Sequence, residues 1–290
     1  MRTLLAPIDF SETSKNAFKY TLRLARRLKA GVKAVHIFYE DYMVDVGAPL
    51  YVGAVAPPQA PLVKEDLKKF TEKFISASRY ERVKDMPKIE TEVYDSMGYP
   101  SDKIIVLSKS PSFDIVVMGR VGESGIWNNL FGSVSIKVAQ GAFCPVLLVP
   151  EGVRYRPIKK MLFAQNFDES IHPATYDRLL FIASCFGAEI HSLFVDPRKA
   201  TQEMDGLVNR EWNMFESTRR HFKTSVVEGN SVLEVIHTYA QTQNIDLIAV
   251  STHHRNMLDK LFHESVTREV AEKTKFPILV LHTEDKFSLF

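Results

Sequence analysis

The chain lacks the features that mark secreted, membrane-spanning and nucleic-acid-binding proteins. Only 2 of its 290 residues are cysteine, too few for a disulfide framework, which fits a reducing cytoplasm. No run approaches about 20 apolar residues, so we expect no membrane span. The opening MRTLLAPIDF meets an aspartate too early for a signal peptide. The 37 lysines and arginines nearly balance 35 aspartates and glutamates, so charge gives no reason to expect nucleic acid or an anionic membrane as a partner.

Strand-like and helix-like segments alternate through the first 150 residues. Apolar runs at residues 4–8 and 115–118 predict buried strands. Ser11 is a plausible N-cap for a helix that runs to about Lys29 and that Gly31 ends. Residues 41–61 are rich in Gly, Ala and Pro and predict a long loop, either a surface loop or a lid. The order βαβαβαβαβ is typical of a doubly wound parallel sheet of about five strands with helices on both faces.

A glycine-rich stretch follows the predicted strand at residues 115–118. Gly119 comes first, then Gly122, and Gly132 and Ser133 stand at the expected start of a helix. Glycine lets backbone N–H groups approach an anion where a Cβ atom would collide. A helix N-terminus has unpaired N–H groups and a dipole that favours negative charge. The spacing indicates a phosphate site, although a strand-to-helix turn without a ligand explains these glycines equally well.

The full pattern is more specific than its glycines. Gly-x2-Gly-x9-Gly-Ser, flanked by DIVVMG and CPVLLV, resembles the ATP-binding signature of the universal stress protein family. It lacks the Gly-Lys-Ser/Thr ending of a P-loop and the closer glycine spacing of a dinucleotide fingerprint. The resemblance implies a cytoplasmic protein that binds ATP, with or without Mg²⁺, and has a regulatory or stress-tolerance role.

The resemblance also assigns residues outside the glycine stretch. By position, Asp9 at the end of the first strand and Ile37 in the second would contact adenine and its surroundings. Arg120, between the first two glycines, is the basic side chain expected nearest the triphosphate. The predicted nucleotide-binding residues are therefore Asp9, Ile37, Gly119, Arg120, Gly122, Gly132, Ser133 and Val134.

The second half of the chain repeats the first. Residues 158–169 echo 2–12, and residues 246–280 echo 114–148. The chain therefore resembles a tandem protein of this family, with predicted domains at 1–150 and 151–290. The second copy has lost the signature, because the counterparts of the three glycines and of Asp9 are Ser251, His254, Glu264 and Asn166. Side chains at the glycine positions would fill the phosphate space, so we predict that only the first half binds ATP.

Several alternatives remain open at this stage. The chain has no P-loop lysine and no arginine finger with a defined position, so we expect no enzyme, or at most a slow ATPase. It could instead be an interaction scaffold whose second half binds another small ligand, or a metal through His253, His254 and His263. In the family, domains pair through their last strands, here residues 146–149 and 278–281. That pairing would be internal to the chain, and two chains could pair again as a homodimer.

Overall fold

The computed structural model describes residues 2–39, 60–77, 87–96, 98–120, 133–166, 173–196, 222–229, 231–251 and 276–282. The elements of the first half, in chain order, are β1 (Thr3–Pro7), α1 (Glu12–Leu28), β2 (Gly31–Tyr39), α2 (Ala60–Ala77), β3 (Ile89–Ser96), α3 (Pro100–Leu107), β4 (Ile115–Arg120), α4 (Ser133–Gly141) and β5 (Val146–Pro150). Those of the second half are β6 (Lys160–Asn166), α5 (Pro173–Phe186), β7 (Glu189–Asp196), β8 (Phe222–Glu228), α6 (Val232–Thr242), β9 (Leu247–Ser251) and β10 (Ile278–Leu281).

The strands form one ten-stranded sheet in the order β3-β2-β1-β4-β5-β10-β9-β6-β7-β8. Each half contributes five parallel strands, which confirms the predicted doubly wound α/β fold. The halves meet at β5 and β10, which are antiparallel with Val146 beside Val280 and Leu148 beside Ile278. This is the internal pairing of last strands that the family resemblance implied, and it merges the two five-stranded sheets into one.

Helices cover both faces of the sheet, and each face has its own hydrophobic core. One core contains buried residues of α1 and α5 with Leu67 of α2, and the other contains buried residues of α3, α4 and α6. Strands β5, β9 and β10 are buried at every position, as expected for parallel strands covered on both sides. Both cores include residues from both halves, so the junction at β5 and β10 is part of a continuous interior.

Matching aspartates demonstrate the internal repeat in the structure. Asp114, just before β4, accepts hydrogen bonds through Oδ2 from the backbone N–H groups of Arg2 and Thr3. Asp246, just before β9, accepts them from Lys159 at 2.8 Å and Lys160 at 3.0 Å. In both halves a carboxylate therefore joins the start of the fourth strand to the start of the first.

Helix α1 begins and ends where the sequence predicted, but the residue that terminates it differs. Ser11 is the N-cap, and its side chain accepts a hydrogen bond from the backbone N–H of Ser14. The left-handed residue that terminates the helix is Lys29, with φ 52°, whereas Gly31 already begins β2. The second half ends α5 at a glycine, Gly187, with φ 69°. The sequence predicted a helix to about Lys29 with Gly31 as the terminating residue, because glycine is the usual residue for this conformation, and here Lys29 itself adopts it.

Other predictions lie outside the described residues. They include residues 41–59 of the loop predicted at 41–61, whose last two residues instead begin α2. They also include the histidine-containing segment 252–275 of the second half. Among the helices that the structure describes, none is long and apolar enough to cross a membrane.

Candidate functional site

A cleft of about 240 Å³ opens at the carboxyl ends of β1, β2 and β4. Strand order reverses here, because β2 lies on one side of β1 and β4 on the other. Such switch points are where open α/β sheets bind ligands, since the connections leave the two strands toward opposite faces. The apolar part of the wall is Pro7, Ile8, Val35, Ile37, Pro100, Ile104, Met118 and Val134. The remaining wall residues are Asp9, Ser11, Thr13, Ser14, Gly119 and Ser135.

Asp9 follows β1 and stands at the mouth of the cleft. Its Oδ1 accepts hydrogen bonds from the backbone N–H of Ser11 at 3.0 Å and from the Ser11 hydroxyl at 2.6 Å. Partial burial raises the pKa of Asp9, but the hydrogen bonds from Ser11 and Ser14 together outweigh it and leave the pKa below its ordinary value. The cleft therefore presents a fixed carboxylate at neutral pH.

The turn that carries Asp9 into α1 is held in an uncommon conformation. Phe10 has φ 64°, a left-handed value that is unusual for an aromatic residue. Its ring packs against His36 at 4.8 Å and Phe70 at 5.5 Å between centroids, and a His36 ring nitrogen lies 2.7 Å from the Ile8 carbonyl oxygen. This packing stabilises a strained residue between Asp9 and Ser11, and strained backbone of this kind clusters at functional sites.

Gly119 has a packing reason to be glycine. A Cβ atom there would lie 2.7 Å from the carbonyl oxygen of Thr13 and 2.7 Å from its Cγ2 atom. Because the oxygen belongs to the backbone of the first turn of α1, a side-chain rotation could not relieve the contact. The glycine brings the start of α1 against the end of β4, and that approach forms one wall of the cleft.

The structure brings together four of the predicted nucleotide-binding residues, since Asp9, Ile37, Gly119 and Val134 all line the cleft. Ser133 is the first residue of α4, next to Val134. Arg120 is buried at the end of β4 and is not among the described residues of the cleft wall. Burial lowers the pKa of Arg120 to about 10, so the guanidinium stays charged at neutral pH. Gly122 and Gly132 lie outside the described residues.

Sequence reasoning missed the hydroxyl groups of this site. Ser11, Thr13 and Ser14 line the cleft from the first turn of α1, and Ser135 does so from α4. Ser11 was predicted only as a helix cap. The available signal was the close spacing of three hydroxyl residues after Asp9, where the chain leaves the carboxyl end of a strand.

The second half has a buried polar cluster at the corresponding strands. The strand register places Gln165 and Ser192 where the first half has Ile8 and Ala34. The Gln165 side-chain amide donates to the Ser192 hydroxyl at 2.5 Å, and the Tyr176 hydroxyl donates to Gln165 Oε1 at 2.8 Å. All three residues are at least 92% buried. A hydrogen-bonded network therefore occupies strand positions that are apolar in the first half, although Leu193, the counterpart of Val35 in the wall of the first cleft, remains apolar.

The position of Gly119 is also occupied by a different residue in the second half. Ser251 ends β9 at the position of Gly119 and is fully buried. Asn166 ends β6 at the position of Asp9. His254 and Glu264, the counterparts of Gly122 and Gly132, lie outside the described part of the chain. Within the described residues, no cluster of three or more His, Cys, Asp or Glu could hold a metal ion.

Taken together, the fold and the cleft define a tandem α/β protein with a ligand cleft at the switch point of its first half. The family model of the universal stress protein family matches residues 1–150 and again residues 157–282. The chain belongs to the universal stress protein family.

Individual relatives agree with this assignment. A universal stress protein of Methanocaldococcus jannaschii is 30% identical over 148 residues, covering 51% of this chain and 81% of that protein. Universal stress protein YxiE of Bacillus subtilis is 28% identical over 148 residues, covering 50% of this chain and 97% of its own length. The crystal structure of a universal stress protein from Archaeoglobus fulgidus has a TM-score of 0.68 at 17% identity, covering 97% of this chain and 98% of that one. That likeness shows that the fold extends over both halves.

Proposed function

We propose that this universal stress protein binds one ATP in the cleft of its first half and acts as a nucleotide-dependent regulatory protein. The observation that carries the proposal is the convergence of Asp9, the hydroxyl-bearing first turn of α1 and the N-terminus of α4 on one cleft. An apolar floor that includes Ile37 suits a flat base, and an adjacent carboxylate suits the N–H or O–H donors of a nucleoside.

The N-terminus of α4 is the proposed binding site for the phosphate groups of ATP. The helix begins at Ser133, directly after the glycine of the signature, and Val134 and Ser135 line the cleft. Its first N–H groups have no partner inside the helix, and the helix dipole adds partial positive charge at this end. The start of α4 therefore supports binding of an anion without requiring a lysine or arginine.

The composition of the cleft favours binding over hydrolysis. Phosphoryl transfer needs a cationic clamp and a positioned water. None of the described residues that line the cleft is a lysine, an arginine or a histidine. We therefore propose a binding protein in which ATP stabilises one arrangement of α1, α4 and β4. Because β4 pairs with β5 and β5 with β10, such a change would be transmitted to the second half.

A calorimetric titration with ATP tests the site, and the second copy supplies the matched variant. Asp9→Asn gives the first half the residue that the second half has at this position, and it removes the carboxylate with little change in shape. We expect ATP to bind at least about tenfold more weakly, as loss of a charged hydrogen-bond acceptor commonly produces. The reciprocal change, Asn166→Asp, should leave both affinity and stoichiometry as in the unmodified protein.

The opposite pattern would contradict the assignment. If Asp9→Asn bound ATP with unchanged affinity, the carboxylate would not belong to the nucleotide site. Product analysis after prolonged incubation with ATP and Mg²⁺ separates binding from turnover. Saturable release of ADP that disappears in Gly132→Glu would replace the binding proposal by a slow ATPase.

A further inference from the structure

A second cleft lies beside the junction of β5 and β10. It is next to the connecting segment, residues 151–159, which joins the two halves. It has a volume of about 510 Å³, larger than the cleft of the first half. One wall comes from α1 through Tyr20, another from the connecting segment, and a third from the second half through Phe276 and Pro277. We call it the linker cleft. It is built from both halves, so it exists only because they are joined in this arrangement.

Two arginines of the connecting segment, Arg154 and Arg156, line the linker cleft. Both are exposed, and neither forms an ion pair or hydrogen bond with any residue that the structure describes. Tyr155 between them packs edge-on against Tyr20, with 5.2 Å between ring centroids. This contact anchors the backbone that carries the two guanidinium groups, which are suited to bidentate binding of phosphate or carboxylate.

Two acidic residues, Glu151 and Asp246, also line the linker cleft. Asp246 is occupied by the backbone N–H groups of Lys159 and Lys160, so its carboxylate already has a structural role. Glu151 is exposed at the end of the connecting segment that follows β5. The lining therefore carries two guanidinium groups and two carboxylates, and the Asp246 carboxylate is committed to the backbone at the start of β6.

The opposite wall is apolar. Ile245, Phe276 and Pro277 precede β9 and β10 and line the cleft beside the buried ring of Tyr20. Sites for small organic molecules combine such a wall with a few oriented polar groups, at volumes of roughly 300–1,000 Å³. A ligand that fits would have an apolar body against Phe276 and an anionic end toward the arginines.

We propose that the linker cleft is a second ligand site, separate from the nucleotide cleft, that binds a small organic anion. Arg154 and Arg156 bind its phosphate or carboxylate group, and the wall formed by Ile245, Phe276 and Pro277 contacts its apolar body. Because Tyr20 belongs to the first half and Phe276 to the second, the bound anion contacts both halves.

The test is an NMR titration of the full chain with three probes of one shape: phenyl phosphate, benzoate and the neutral benzyl alcohol. We expect saturable shifts with one or both anions at millimolar concentrations. Arg154→Gln/Arg156→Gln should weaken binding of the better anion at least about tenfold. The matched control, Arg23→Gln/Arg26→Gln, removes the same charge from the exposed face of α1 without touching the cleft wall, and should change the affinity less than about twofold.

Comparing the affinities of the three probes and of the two double variants distinguishes the possible results. Tighter binding of phenyl phosphate assigns a phosphorylated ligand, and tighter binding of benzoate assigns a carboxylate. Equal weakening in both double variants would show general attraction to a basic surface and overturn the proposal. So would benzyl alcohol binding as tightly as the anions, or no saturable binding to the unmodified chain. The conservative pair Arg154→Lys/Arg156→Lys should retain part of the affinity, which a misfolded variant would not.

Discussion

Replacing Gly119 with alanine tests the packing that forms the cleft of the first half. The added Cβ atom would lie 2.7 Å from the Thr13 carbonyl oxygen, 2.7 Å from its Cγ2 and 2.8 Å from its carbonyl carbon. Two of these atoms are backbone, so relief requires the start of α1 to move away from β4. Overpacking of this kind costs about 1–3 kcal/mol. Because α1 also carries Ser11, Thr13 and Ser14 into the cleft, we expect ATP affinity to fall with the free energy of unfolding.

Gly31→Ala is the matched control. A Cβ atom at Gly31 would be 3.5 Å from the Lys88 carbonyl oxygen and 3.6 Å from that of Arg2, which are ordinary contact distances. We expect its free energy of unfolding to change by less than about 0.5 kcal/mol. Denaturant titrations followed by far-UV circular dichroism, with ATP titrations of the same samples, would measure both effects. If Gly119→Ala were as stable as Gly31→Ala, the close approach of α1 and β4 would be refuted.

Three further predictions concern other parts of the molecule. Lys29→Gly should raise the free energy of unfolding by about 0.5–1 kcal/mol, because glycine adopts the left-handed conformation without the strain that lysine has there. Gly187→Ala should lower the free energy of unfolding by about 1 kcal/mol for the converse reason. Denaturant titration of both variants checks the sign of each change. Burial lowers the pKa of His191 more strongly than the nearby Glu189 raises it, so the neutral ring stabilises the fold above the unfolded pKa of about 6.5. That stability should be lost as pH falls from there through the folded pKa, and His191→Gln should flatten this part of a stability–pH curve. Tyr176→Phe removes the 2.8 Å hydrogen bond to Gln165 and should cost about 1–3 kcal/mol, measured by the same titration; a neutral result would contradict the buried network.

The repeat and the fold class could be predicted from the sequence because both are local patterns. Asp114 and Asp246 stand at equivalent places before buried apolar strands, and the structure gives both the same hydrogen-bonding role. The pairing of last strands was predicted through the family resemblance. That this pairing produces one continuous ten-stranded sheet depends on the antiparallel register of β5 and β10, which neither strand's sequence specifies alone.

The candidate site was predictable only in part. The glycine signature indicated an anion site at the end of β4, but a one-dimensional pattern could not show that Gly119 is also required by its contact with Thr13. Nor could it show that Phe10 adopts a left-handed conformation between Asp9 and Ser11, because that strain is offset by rings from β2 and α2. The end of α1 near Lys29 was predicted, whereas the left-handed conformation of Lys29 itself was not, because the local preference for that conformation favours glycine.

The central claim is that the first half has a working nucleotide site and the second half has lost its own. The most direct test is to purify the chain from cells, denature it, and quantify the released nucleotide by chromatography and mass spectrometry, with a titration of the refolded or nucleotide-free protein by ATP and Mg²⁺. The account predicts one ATP bound per chain. Two nucleotides per chain would contradict the loss of the second site, and failure to bind ATP in both experiments would contradict the nucleotide site itself.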